Sequence, residues 1–328
     1  MNSLARSLLT ALLPASLLLL GLPGPASAQA PYPDRQIHMI IPLAIGSAVD
    51  SAARVLAKSM ADDLGQSIYL ENVPGSAGLI GAERVAKASA DGYTLGAFND
   101  SVLTMVPNIH KTKWDPLTDF VPVSLVGTIE WGLVVAANSP YRTVDDFIKA
   151  AKARPKALNY GSGGSGSPQH LAMVMFANQA GIEVTHVPYK GATPAAIAVA
   201  SGEVEAAFQG LGTVVPLIAS GRLRLLAVST EKRLSQYPDV PTVAQAALPD
   251  FFFNSWFALV APKGTSDQVV ERLYASVSTA LKDPDISKKL EAQGMTLRGT
   301  TPTEFSAALK DQYSRYQRII QTNQIRGE

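Results

Sequence analysis

Short apolar runs of strand length alternate with helical runs along nearly the whole chain, and that alternation restricts it to α/β architecture. Residues 36–42 (QIHMIIP) read as a first strand. A helix is expected over 50–64, where Ala53, Val55, Leu56, Met60 and Leu64 make one apolar stripe. Further strands are expected at 67–71, 93–98, 121–126, 131–136, 158–160, 184–187, 206–208, 223–228 and 255–260. Helices are expected at 81–88, 143–152, 169–180, 266–281 and 303–324. The 143–152 helix carries its own start signal: Thr143 as cap, Asp146 three residues on, acids in the first turn and bases later.

The first 28 residues have the composition of an export signal. Arg6 gives a positive start, residues 7–22 are mostly apolar, and Ala26-Ser27-Ala28 offers a small-x-small cleavage pattern before Gln29. Pro14, Gly21 and Pro23 break the apolar run, which is also short for a membrane span. The 300 residues after the signal are enough for two ordinary domains. They hold 27 basic and 27 acidic side chains, a balance unlike the cationic footprint of a nucleic-acid binder. The chain has no cysteine, which excludes disulfides, thiolate catalysis and cysteine-ligated zinc or iron–sulfur sites.

Three loops, each after an expected strand and before an expected helix, are rich in small residues: 42–50 (PLAIGSAVD), 72–81 (NVPGSAGLIG) and 161–170 (GSGGSGSPQH). Glycine lets backbone turn tightly and come close to a ligand. The first N–H groups of the following helix have no helical partner and sit at the positive end of its dipole. Such loops bind an anion without lysine or arginine, at the strand ends where open α/β sheets place ligands. A single loop of this kind is as often a plain capped turn, and Ser167-Pro168 reads as a cap followed by a first-turn proline. Three in one exported chain favour binding.

The third loop also fits G-x-G-x-x-G through Gly161, Gly163 and Gly166. Glu183 precedes the next strand, however, whereas a ribose-binding acid belongs at its end. No phosphate-loop G-K-S/T and no G-x-S-x-G elbow occurs. His38, His110, His170 and His186 form no close metal-binding spacing. His170 falls in the first turn after the third loop, where it either lines a cleft or is satisfied by nearby backbone. Lys190, in Tyr189-Lys190-Gly191, is open to two readings as well: a carboxylate partner or an ordinary surface lysine. No catalytic residue, metal or cofactor is expected.

The chain resembles the Bug receptors, the TctC-like substrate-binding family of tripartite tricarboxylate transporters. The resemblance runs through ENVPGSAGLIGAERVAKASADGYTL (71–95), DFVPVSLVG (119–127), LNYGSGGSGSPQH (158–170), HVPYKGATPA (186–195), GEVEAAF (202–208), DVPTVAQ (239–245) and SWFALVAPKGT (255–265), in family order. It implies a two-lobe periplasmic solute-binding fold of type II kind, with a central ligand cleft. By that resemblance lobe 1 spans 29–128 and 255–328, lobe 2 spans 129–254, and the crossovers lie near 128 and 254. First-lobe loops are expected to hold one carboxylate, partly through waters, and the second lobe to complete the cage. Carried onto this chain, the binding residues are Leu43, Ala44, Ile45, Gly46, Ser47 and Val49 in the first loop and Ser76, Ala77 and Gly78 in the second. Second-lobe contributions are Ser162, Ser165, Gly166, Ser167 and His170; Asn99, Ser101, Phe208 and Gln209 are secondary candidates, the last two from a turn at 208–211.

The first loop departs from the family's P-F-P-P-G-G-x-T-D. Ala44 and Ile45 replace two prolines, Ser47 a glycine and Val49 the threonine, while Gly46 and Asp50 keep their places. Ile45 would add apolar surface near the pocket, which points to a dicarboxylate with an apolar body, an aromatic one such as terephthalate included. Asp50, being negative, reads as a helix cap or brace. The expected function is periplasmic capture of a small carboxylate for a tripartite tricarboxylate-type permease. A sensory binding protein serving a membrane sensor fits the same sequence, and a secreted hydrolase finds no supporting motif.

Overall fold

The computed structural model describes residues 32–322, so the expected signal segment at 1–28 and its cleavage site lie outside the described residues. The described residues build two mixed sheets. Strands β1 (Ile37–Ile41), β2 (Ile68–Asn72), β3 (Thr94–Asn99) and β4 (Phe120–Ile129) belong to the first sheet. The chain then crosses to a second sheet of β5 (Trp131–Ala136), β6 (Asn159–Ser162), β7 (Thr185–Pro188), β8 (Ala206–Gly210) and β9 (Leu223–Val228). It returns with β10 (Ser255–Pro262) and β11 (Met295–Leu297). The spatial orders are β11-β4-β10-β3-β1-β2 and β7-β6-β8-β5-β9.

In each sheet one block of strands runs parallel: β1 with β2 and β3, and β6 with β7 and β8. The strands around the crossovers are antiparallel: β10 between β3 and β4, and β5 between β8 and β9. β5 and β10 are buried along their whole length, as strands covered on both faces must be. Helices α1 (Ala48–Leu64), α2 (Leu79–Ala86), α3 (Val106–Ile109), α4 (Val144–Ala153), α5 (Pro168–Ala180), α6 (Ala192–Ser201), α7 (Leu211–Ala219), α8 (Val243–Ala246), α9 (Asp267–Lys282), α10 (Pro284–Glu291) and α11 (Pro302–Thr322) cover the sheets. The α1 stripe is in the core at Ala53, Leu56, Met60 and Leu64, while Val55 is only partly buried. The capping box of α4 is formed on both sides, Thr143 to Asp146 and back.

Only Glu130 separates the last residue of β4 from the first of β5, so the first crossover is a near-continuous strand that changes sheets. The second reaches β10 through Phe251–Asn254. The two are tied where they pass: Trp131 Nε1 donates to Ser255 Oγ at 2.9 Å, and the Trp131 ring packs edge-on to Phe253. The segment read as a turn at 208–211 is the end of β8 and the first residue of α7. Helix α2 starts two residues before the expected 81.

Candidate functional site

Every parallel strand ends toward the same place. The turns after β1, β2 and β3 in the first lobe, and after β6, β7 and β8 in the second, enclose one cavity of about 400 Å³. Strand-end loops converge there because the two sheets face each other with their carboxyl ends inward, the usual ligand side of such sheets.

The first loop is held by Asp50. Its buried carboxylate accepts from Gly46 N at 2.9 Å, from Arg54 through two nitrogens, and from Asn72 Nδ2. Asn72 Nδ2 also reaches Leu43 O. Asp50 is therefore a brace whose charge is answered by Arg54. Ser47 caps α1, accepting from Asp50 N at 3.2 Å. Of the loop's expected binding residues, Leu43, Ala44, Ser47 and Val49 line the cavity. Ile45 does not; its side chain is 69% exposed. Gly46 lies beside the cavity, against Thr193 of α6.

The second loop is strained. Gly75, Ser76, Ala77 and Gly78 all have positive φ, 124°, 48°, 51° and 99°. Left-handed geometry at the two non-glycine residues costs roughly 1–2 kcal/mol each, and such strain persists where surrounding structure enforces it. Here glycine is enforced at 78: a Cβ would stand 2.8 Å from Val102 Cγ2 and 3.3 Å from Pro42 O. Ser76, Ala77 and Gly78 all line the cavity. Among the described residues the N–H groups of Ser76 and Ala77 meet no protein acceptor.

After β3, Asn99 and Ser101 line the cavity, and Ser101 Oγ donates to Gly166 O of the opposite lobe at 3.2 Å. Asp100 between them is fully buried behind the wall. Burial holds its carboxyl well above the usual range, favouring the neutral form. No Asp or Glu lines the cavity among the described residues.

The third loop contributes Ser165 and Ser167, with Ser167 capping α5. The Ser165 hydroxyl oxygen is buried and has no hydrogen-bond partner among the described residues. Ser162, Gly166 and His170 stand behind this surface and shape it. Ser162 Oγ accepts from Gly164 N and meets His186 Nε2 at 2.6 Å. His170 Nδ1 accepts from Gly166 N at 3.1 Å, and its ring stacks on His186 with centroids 4.2 Å apart. Burial, and next the neighbouring His186, lower the His170 pKa to about 4, so the ring is neutral and serves as a backbone acceptor. Phe208 is a core residue. Gln209 is buried behind the wall, accepting from Gln169 Nε2 and donating to Ala192 O, both at 3.3 Å.

Further residues line the cavity beside the expected binding set, Lys190 among them, for which the sequence left a carboxylate partner and a surface lysine both open. The β7–α6 turn brings Tyr189, Lys190, Gly191 and Ala192 to the cavity, and α7 brings Thr213. Tyr189 OH donates to Glu203; burial first, and that carboxylate second, push the phenol up to about 12. Leu79, His110, Trp131 and Gln169 also line it. The first turns of α1, α2, α5 and α6 thus open onto one space, each carrying up to about half a positive charge at its start. The arrangement is suited to holding an anion by neutral donors.

The family description "Tripartite tricarboxylate transporter family receptor" matches residues 52–325. The chain belongs to this family. It is 34% identical over 305 residues to Protein BugT of Bordetella pertussis (strain Tohama I), covering 92% of each chain. Among solved structures it is similar to R. palustris Rpa4515 with adipate, at 32% identity and TM-score 0.88, covering 90% of this chain and all of that one. It is also similar to MatC from Rhodopseudomonas palustris with bound malate, at 28% identity and TM-score 0.83, covering 88% of this chain and all of the other. This tripartite tricarboxylate transporter receptor accordingly has the two-lobe α/β fold of periplasmic solute-binding proteins.

Proposed function

We propose that this receptor captures a small carboxylate, preferentially a dicarboxylate, between its lobes in the periplasm and delivers it to a membrane transporter of the tripartite tricarboxylate type. The observation that carries the reading is the convergence of four helix starts on a cavity without a carboxylate in its lining. Adipate in one similar structure and malate in another support the ligand class. An apolar ligand body, aromatic as in terephthalate or aliphatic, is supported by Leu43, Val49, Pro74, Leu79 and Trp131, which line the cavity in place of the outward-facing Ile45. The lobes meet near residues 128 and 254, and residues 1–28 direct export.

Capture requires no covalent step. The first-lobe N–H groups take one carboxylate, directly or through waters, and the second lobe closes over it. Excluding bulk water strengthens the remaining hydrogen bonds. Calorimetry on the mature protein, unfolded and refolded to strip ligand, tests the reading with aliphatic and aromatic carboxylates and their amides. Saturable binding of an acid that its amide lacks is the expected result. A folded protein that binds none of the acids, or binds amides equally well, would overturn it.

A further inference from the structure

We infer that Lys190, together with the Ser165 hydroxyl, forms a second anion half-site in the second lobe, which makes the receptor select ligands bearing two carboxylates over those bearing one. This rests on the carboxylate reading above and assigns its second end. Lys190 is the single Lys, Arg, Asp or Glu side chain in the cavity lining among the described residues. It is exposed, and no carboxylate of the described residues pairs with it. It is the one lining side chain with a permanent charge free to meet a ligand.

The local backbone aims this lysine's loop at the seam between lobes. Gly191, at φ 122°, sits so close to the first lobe that an added Cβ would lie 2.7 Å from Ala44 Cβ. The same loop is knit to the Ser165 loop: Tyr189 N donates to Ser162 O at 2.9 Å, and an added Cβ on Gly163 would come 3.2 Å from Gly191 C. Lys190 and Ser165 therefore belong to one continuous second-lobe surface. The Ser165 oxygen is a buried polar atom without a protein partner, a situation that folded proteins rarely leave unanswered. Across the cavity stand the Ser76 and Ala77 N–H groups of the first lobe, with Val49, Pro74 and Leu79 supplying apolar wall.

Two polar ends with an apolar middle distinguish ligands by what they leave unmet. A monocarboxylate fills the first-lobe end and places a methyl or ring edge against Ser165 and Lys190, leaving a buried donor dry. A dicarboxylate fills both ends. The lysine supplies a charge-assisted contact with little geometric demand, which suits diacids of differing length.

The test uses matched pairs: succinate with butyrate, adipate with hexanoate, and terephthalate with benzoate, titrated into the refolded mature protein. For the pair that binds, the diacid is expected to bind at least about tenfold more tightly than its monoacid. Lys190→Met is expected to weaken the diacid about 10- to 100-fold and to change the monoacid by less than about threefold. Lys190→Arg should recover most of the loss, and Ser165→Ala should weaken the diacid alone, about three- to tenfold. Equal affinity for diacid and monoacid in the unmodified receptor, or equal losses for both in Lys190→Met, would overturn the second half-site while leaving carboxylate capture intact. Failure of every acid to bind would remove both readings together.

Discussion

His170 shows how a residue behind the cavity wall can shape it without lining it. Its Nδ1 holds the Gly166 N–H, and Gly166, at φ 80°, sets the path between Ser165 and Ser167. Protonation would turn that acceptor into a donor facing another donor. Because the folded-state pKa is lowered from 6.5 to about 4, the unfolded chain binds the proton more readily between these values. Stability is therefore complete above about pH 6.5 and is lost as pH falls toward 4, by at most about 3 kcal/mol. Urea unfolding of the receptor and of His170→Gln from pH 7.5 to 4 measures this, and the variant should show the shallower acid loss. The difference between the two profiles isolates His170 from Asp100 and Glu130, whose carboxyls burial raises and whose effect on stability has the opposite sign. Parallel profiles would show that His170 is not responsible.

Helix α2 sets helix propensity against packing. Gly81 lies in its first turn with ordinary helical backbone, so alanine should favour the helix by at most about 1 kcal/mol. A Cβ there would nevertheless meet Pro42 Cβ at 2.7 Å, Pro42 Cα at 2.9 Å and Val73 O at 3.0 Å. Two of these are main-chain atoms that cannot rotate away, so overpacking of about 1–3 kcal/mol should win. Gly81→Ala is expected to lower Tm and, by pushing the start of α2 off the Pro42 loop, to weaken carboxylate binding. A variant more stable than the parent would mean that the loop yields. The elements themselves were legible to different degrees. The helices read at 50–64 and 143–152 announced themselves through stripes and caps, and the three glycine loops through their punctuation. Helix α6 was hidden because Ala195, Ile197, Ala198 and Val199 make it apolar around most of its circumference, leaving no stripe at helical spacing. Helix α7 was hidden because Pro216 interrupts an almost wholly apolar run. Tyr189 and Thr213 went unplaced with them, and Lys190 stayed open between a carboxylate partner and a surface lysine, since their positions at the cavity follow from those helices. Ile45 was misplaced for a different reason: loop sequence gives no side-chain direction, and Gly46 at φ 76° sits where the chain turns that side chain outward.

At the scale of the whole molecule, side-chain hydroxyls fasten the lobes to each other's backbone around the cavity. Thr213 Oγ1 accepts from Ala48 N at 3.0 Å, Thr193 Oγ1 donates to Ile45 O at 2.9 Å, and Ser101 Oγ donates to Gly166 O. The first lies deep, where Gly210 and Gly212 let α7 approach Ala48 so closely that added Cβ atoms would fall 3.3 and 3.1 Å from it. The second lies at an exposed position, between the first turn of α6 and the tip of the first loop, and would break when the lobes part. A ligand shifts an open–closed balance only by preferring one form. A bond present only in the closed form adds to that preference, so removing it lowers the closed population and the apparent affinity together. One such bond is worth about 0.5–1.5 kcal/mol. Thr193→Val should therefore weaken carboxylate binding about two- to tenfold. The Tm measured without ligand should fall by no more than a few degrees, because Thr193 keeps its shape and its partner carbonyl is open to water. Small-angle scattering supplies the structural readout: saturating ligand should contract the unmodified receptor, and Thr193→Val should need more ligand to reach the same contraction. Unchanged scattering of the unmodified receptor at saturation would mean that capture does not proceed by lobe closure. Unchanged affinity in Thr193→Val would place the closing force at the deep contact between α1 and α7.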